Sequence, residues 1–337
     1  MQPSTTPSPT PEPPRESMPN PLLTSETPLF VVFNAASGSR DAERSQAQMR
    51  EILASAGRAY TFFPIEDPKQ LHAIATRAAA AAEREQGAVV VAGGDGTINC
   101  VAEATLQTGR PFGIVPQGTF NYSSRAHGIP LDTEKATRAL LDARLEPMQV
   151  GLVNDRIFLV NASVGLYPEI LQERETYKRQ YGRKRHIALW AGVRTLMRSH
   201  DQLTLEIEHD QQREVIRTPT LFVGNNPLQL ERVGLSEADA IDRHRLAAVI
   251  VKPTGTAALL WLALRGALGR LGEAEHVRDF AFKRMTVRAA RRGALRQVKV
   301  ATDGEIHMMK APITFAVAPR PLMLMVPQVP EAIVSPA

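Results

Sequence analysis

A single cysteine, Cys100, in 337 residues leaves no partner for an intrachain disulfide and no second thiolate for a multi-cysteine zinc site. A reducing cytoplasm suits such a chain. Long apolar runs are also missing. The longest, residues 257–264, stops at Arg265, well short of the ~20 residues that span a bilayer. The first 28 residues hold no basic region followed by an apolar one, so no secretory signal is expected. The sequence has no GxxxxGK[ST], no GxGxxG and no protein-kinase motif set, which excludes the commoner ATP-site architectures. It shows no nucleic-acid module, so nucleic acid is not an expected partner. No internal repeat is visible.

What is present begins with size. Hydrophobic residues make up 43% of the 337, enough for two cores, because single cores stop growing near ~250–300 residues. A formal net charge of +5 fits an anionic partner. Residues 1–28 are rich in Pro, Ser and Thr and read as a disordered tail, and 328–337 form a second tail. Between the tails the texture changes once. Over 29–147, apolar runs at 29–33, 60–63, 88–92 and 112–116 alternate with helical stretches, running from the 34–38 loop to about Ala56, over 68–85 and from near Thr97. This is the signature of βαβ units and a parallel sheet. Over 148–327, strands are expected at 157–162, 203–209, 215–223, 246–251, 285–289, 298–301, 313–317 and 322–326, with helices only at 169–198 and 254–271. That reads as a β-rich, mainly antiparallel domain whose last strands are free to pack back on the first.

The chemistry gathers where strands end. Gly93, Gly94 and Gly96 follow a buried strand and open a helix, so backbone N–H groups and a helix N-terminus can approach a phosphate. Asp95 in that turn would repel phosphates unless a metal ion or a substrate hydroxyl sits between. Loops 34–38 and 118–121 follow two other strands, and ligands of open α/β sheets bind beyond the strands' carboxyl ends. Asp303-Gly304-Glu305 lies between two strand-like segments. It reads either as an acid pair able to take a proton or as a solvated hairpin turn.

GGDGTIN at 93–99, PQGTFN at 116–121, the NxxSG loop at 34–38, DGE at 303–305 and FLVNASVGLYPEI at 158–170 together resemble the diacylglycerol kinase catalytic family, which includes sphingosine kinases and bacterial lipid kinases. The resemblance covers residues 29–327. It implies an α/β N-terminal domain with a parallel sheet, of the NAD-kinase and diacylglycerol-kinase type, followed by a mainly antiparallel β domain. It implies transfer of the γ-phosphate of ATP to a lipid hydroxyl. ATP contacts would come from Asn34, Ser37, Gly38, Gly93, Gly94, Asp95, Gly96, Thr97, Ile98 and Asn99, and from Gly118, Thr119 and Asn121. Glu305, supported by Asp303, would be the base, and Mg²⁺ would bridge the phosphates near Asp95. An NAD kinase-like enzyme and an inactive nucleotide- or lipid-binding regulator are the alternatives.

Three departures from the family pattern stand out. Cys100 stands where the family often has Glu after Asn, and Tyr122-Ser123 where it has Asp-Phe. Arg243 replaces the second acid of Leu-Asp-Asp-Gly, which argues against a structural Mg²⁺ there, and Thr61 is a poorly aligned candidate for a family threonine. Eight Lys and Arg residues interleaved with Tyr177, Tyr181 and Trp190 over 174–198 point to peripheral contact with an anionic membrane, at its inner face. The helix at 257–271 reads as a core helix or as a second lipid contact. Homodimerisation is left open.

Overall fold

The computed structural model describes residues 23–35, 40–169, 171–172, 202–210, 212–235, 239–289 and 297–329. Its first sheet has the strand order β2-β1-β3-β4-β18-β5. Strands β1 (Leu29–Asn34), β2 (Tyr60–Ile65), β3 (Ala88–Gly93) and β4 (Phe112–Pro116) run parallel. The sequences LFVVF, AVVVA and FGIVP are buried throughout, as expected of parallel strands covered on both faces. Helices α1 (Arg40–Ser55), α2 (Leu71–Arg84), α3 (Asp95–Thr108), α4 (Tyr122–Ala126) and α5 (Thr133–Leu141) accompany them. Alanines 75, 78, 79, 81 and 82 of α2 are buried, and their small side chains let that helix sit close to β1 and α3. The last strand, β18 (Leu322–Pro327), returns to this sheet. It lies parallel to β4 and antiparallel to β5 (Ala143–Met148), so the edge of the sheet is mixed.

The rest of the chain forms two antiparallel six-stranded sheets, ordered β10-β9-β14-β17-β6-β7 and β13-β12-β11-β8-β15-β16. The inward faces pack together around Phe158, Leu205, Leu221, Phe282, Met285 and Phe315. Most expected strands lie within a residue or two of their places, including β9 (Leu203–His209), β12 (Leu246–Val251), β14 (Arg284–Ala289), β15 (Gln297–Thr302) and β17 (Ile313–Val317).

Two expected strands split. The run 157–162 is divided between β7 (Arg156–Phe158) and β8 (Asn161–Gly165), because the N–H groups at 159–161 turn to a carboxylate described below. The run 215–223 breaks at Pro219 into β10 (Gln212–Thr218) and β11 (Thr220–Gly224), which belong to different sheets. Proline has no N–H to give to a ladder. Strands β5, β6 (Gly151–Val153), β13 (Val277–Phe282) and β16 (Glu305–Lys310) have weak alternation and were not expected. Helices α6 (Pro227–Arg232) and α7 (Asp239–Asp242) follow β11. The helix expected at 254–271 is α8 (Thr256–Ala267). The basic segment 174–198 lies outside the described residues.

Candidate active site

The carboxyl ends of β1, β3 and β4 bring Asn34, Gly93 and Pro116 to one edge. Helix α3 starts there with Gly94 as N-cap and no side-chain cap hydrogen bond, so that amide donors of its first turn can face an anion. Gly94 meets Gly118 backbone to backbone: a Cβ built on Gly118 would stand 3.0 Å from the Gly94 Cα. The two loops therefore form one cradle. Asn121 shapes the second loop, with its Oδ1 accepting from Gly118 N at 3.0 Å and its Nδ2 donating to Gly118 O at 2.9 Å.

Asp95 lies in the floor of this cradle. Its Oδ2 accepts from Asn121 N at 3.2 Å, while its buried Oδ1 has no partner. Burial raises its pKa, against the opposing pull of backbone N–H groups including those of Asn121 and Tyr122. Asn34 Nδ2 donates to Thr97 Oγ1 at 3.3 Å and so ties the first strand end to α3. Thr119 is exposed at the loop tip. Ser37 and Gly38 lie outside the described residues.

Ile98 does not belong to the site. Its side chain is in the core and its N–H donates to Gly94 O at 2.9 Å. Thr61 is also excluded, because it pairs with Phe30 near the amino ends of the strands, opposite the cradle.

The second domain contributes the β15–β16 hairpin. Asp303 (φ 46°) and Gly304 (φ 88°) form a two-residue turn between the paired Thr302 and Glu305, a geometry Asp-Gly favours. DGE is therefore a hairpin turn, but not a solvated one at Asp303. Asp303 accepts from Leu159 N at 2.7 Å, Val160 N and Asn161 N at 2.9 Å, and Asn99 Nδ2 at 2.6 Å. Burial pushes its carboxyl upward and these four donors pull it down. A carboxylate so occupied positions the hairpin and does not take a proton from substrate.

Glu305 is the exposed acid. Its side chain is 64% exposed, and its Oε1 stands 3.3 Å from where a Cβ on Gly96 would be. The hairpin thus lays a carboxylate against the glycine loop of the other domain.

Several neighbours carried no signal in the sequence, while Cys100 showed there only as a departure from the family pattern. Arg156 acts on both Cys100 and His307, and Glu305 acts on Cys100. Burial, then Glu103 and Glu305, push the Cys100 thiol up to about 11, with Arg156 opposing. Burial and Arg156 lower the pKa of His307, whose Nε2 is 3.9 Å from Glu305 Oε2. Between the domains, Gln149 Nε2 donates to Asn225 Oδ1 at 2.8 Å, and Asn225 Nδ2 donates to Gln149 O at 3.1 Å. They border a cavity of about 320 Å³ that also touches Ser123, His127, Glu146 and His244. At the departures, Tyr122 stacks on Phe120 at 5.9 Å, and exposed Arg243 donates from Nε to Asp239 O at 3.3 Å. Among the described residues no group of three or more His, Cys, Asp or Glu is placed to hold a metal ion.

Fold and site together define a two-domain α/β-plus-β protein in which a phosphate-type glycine cradle on one domain meets a carboxylate hairpin from the other. Residues 28–153 match the family model of the diacylglycerol kinase catalytic domain, and the first domain belongs to that family. The diacylglycerol kinase of Bacillus subtilis is 33% identical over 144 residues, 42% of this chain and 46% of that protein. An uncharacterized protein of Synechocystis is 28% identical over 203 residues, 58% of this chain and 46% of that protein. The chain thus spans less than half the length of either relative. A diacylglycerol kinase structure from Bacillus anthracis superposes with a TM-score of 0.65 at 18% identity, covering 92% of this chain and 98% of that one, and shares the fold.

Proposed function

We propose that the protein transfers the γ-phosphate of ATP to a hydroxyl of a lipid. The observation that carries this is the carboxylate oxygen Glu305 Oε1 against Gly96, and its nearness to the cradle supports a role as proton acceptor where phosphates would lie. The cradle fits them. Gly94 and Gly118 leave no side chain in the way, and the first turn of α3 offers its N–H groups. The partnerless, buried Asp95 Oδ1 fits a Mg²⁺ held mainly by substrate phosphates, a mode that needs only one or two protein carboxylates. Such an ion, when bound, neutralises charge on the phosphates.

The chain's own residues do the rest. Asp303, fixed by its four donors, holds Glu305 in place. Glu305 takes the proton of the attacking hydroxyl as that oxygen bonds to the γ-phosphorus. The bond from the γ-phosphorus to the bridging oxygen breaks, and ADP leaves. A lipid acceptor is supported by the family of the first domain and by relatives named as diacylglycerol kinases. No helix among the described residues is long and apolar enough to cross a membrane, so the acceptor would be met at a membrane surface.

The test is radiolabelled ATP with diacylglycerol, a sphingoid base, an isoprenoid alcohol and NAD as acceptors. Label in a lipid product that requires Glu305 supports the reading. Label in NAD alone, or in nothing, overturns it.

A further inference from the structure

Helix α8 is apolar on two sides. One side, with Leu259 and Leu262, is buried in the second domain. The opposite side carries Trp261, Leu264 and, just past the helix end, Leu268, which are 58%, 49% and 64% exposed. Their spacing of three and then four residues sets them in one stripe. Large hydrophobic side chains left in water at helical spacing, beside a cavity of about 280 Å³ that Trp261 also lines, need an occupant.

Charge and area choose it. The only charged residue in α8 is Arg265, and there is no acid in the helix. Across 252–278, Arg265 pairs with Glu273 and Arg278 with Glu214, which leaves Lys252 and Arg270 as the cations without an acid partner among the described residues. A second copy of the chain is a poor candidate. Twelve residues make a helix about 18 Å long. One exposed stripe of that length falls short of the ~800 Å² per partner that a stable interface buries. An anionic bilayer needs no such area: tryptophan favours the interface, leucines enter the acyl boundary and cations meet the headgroups.

We infer that the Trp261–Leu264–Leu268 face of α8 docks the protein on an anionic lipid surface. This rests on the proposal that the acceptor is a lipid, and it places the docking face on the second domain. The turn after α8 is tied to the end of α6 by Leu271 N donating to Val233 O at 2.8 Å and Gly272 N to Gly234 O at 3.2 Å. At its other end, α6 begins beside Asn226 and holds Asn161 through Gln229 Oε1 at 3.1 Å, next to the Asp303 turn. A surface gripping α8 is thereby connected to the hairpin that carries Glu305.

The chain has two tryptophans, so Trp190→Phe leaves Trp261 as the sole reporter. Phosphatidylglycerol vesicles should shift its emission to the blue and shield it from iodide, and the shift should persist at 1 M salt. The double variant Leu264→Ser, Leu268→Ser should bind these vesicles at least about tenfold more weakly, since each leucine loses roughly half of a full burial. It should keep the parent's melting temperature and its turnover of a detergent-dispersed short-chain lipid. An unchanged spectrum at saturating lipid, or equal binding by the double variant, overturns the inference. A blue shift that appears without vesicles as protein concentration rises would assign the face to a second copy. If Trp261 inserts but no lipid is phosphorylated, the docking face stands and the proposed reaction falls.

Discussion

Asn99 Nδ2 and Asp303 Oδ2 meet at 2.6 Å although 204 positions separate them in the chain. One residue belongs to α3 of the first domain, the other to the hairpin turn of the second. Asp303→Ala strands the Asn99 amide and the N–H groups of Leu159, Val160 and Asn161, and each buried group left unmade costs about 1–3 kcal/mol. Urea unfolding should show a loss of about 3 kcal/mol or more. Asn99→Ala should cost less, and the pair should be non-additive in a double-mutant cycle. Additive, small effects would mean that the tie does not hold the domains in register.

Glu305→Gln separates chemistry from stability. The side chain is 64% exposed, so the midpoint of unfolding should hardly change. Turnover should fall by ~10²–10⁴-fold, the usual share of a general base, with ATP still bound. Parent-like turnover would reduce the residue to a solvated turn.

Asp95 gives a pH signature. Its pKa is raised in the folded state, chiefly by burial, above the ~3.9 of an unfolded chain. The folded state therefore holds this proton more tightly, and the stability so gained is complete at low pH and lost as pH rises through the folded value. Asp95→Asn should be at least as stable as the parent at pH 7, and its advantage should shrink toward pH 4. Turnover should collapse at every pH. A stability difference that does not vary with pH would contradict the assigned shift.

Cys100 should be sluggish toward thiol reagents. With its thiol pushed from 9.0 up to about 11, the thiolate fraction near pH 8 drops by roughly 10²-fold relative to an unperturbed thiol. Modification of the native protein by a chromogenic disulfide should be slower by about that factor than in urea. Comparable rates would place the thiol in open solvent.

The cradle was legible because its parts are contiguous. A buried β-branched strand, a glycine turn and a helix start follow one another from Ala88 to Asp95, and local sterics and backbone hydrogen bonding shape that unit. The same locality misled at Ile98, where a motif position points into the core because helical periodicity turns it there. The acids at 303 and 305 were visible as residue types, and their two-residue spacing on a turn allowed both a hairpin and a proton-transfer reading.

The sequence by itself determined the alternating pattern of the first domain, its glycine loops and the absence of disulfide, Walker-type and long apolar segments. The tertiary structure alone decided that Asp303 is an anchor and Glu305 an exposed acid. That difference depends on donors from 99 and 159–161, brought to the hairpin only when two β sheets pack and β18 rejoins the first sheet. It also decided the outward face of α8. The run 257–264 is apolar on every side, so its composition does not reveal which stripe meets the core and which is left exposed.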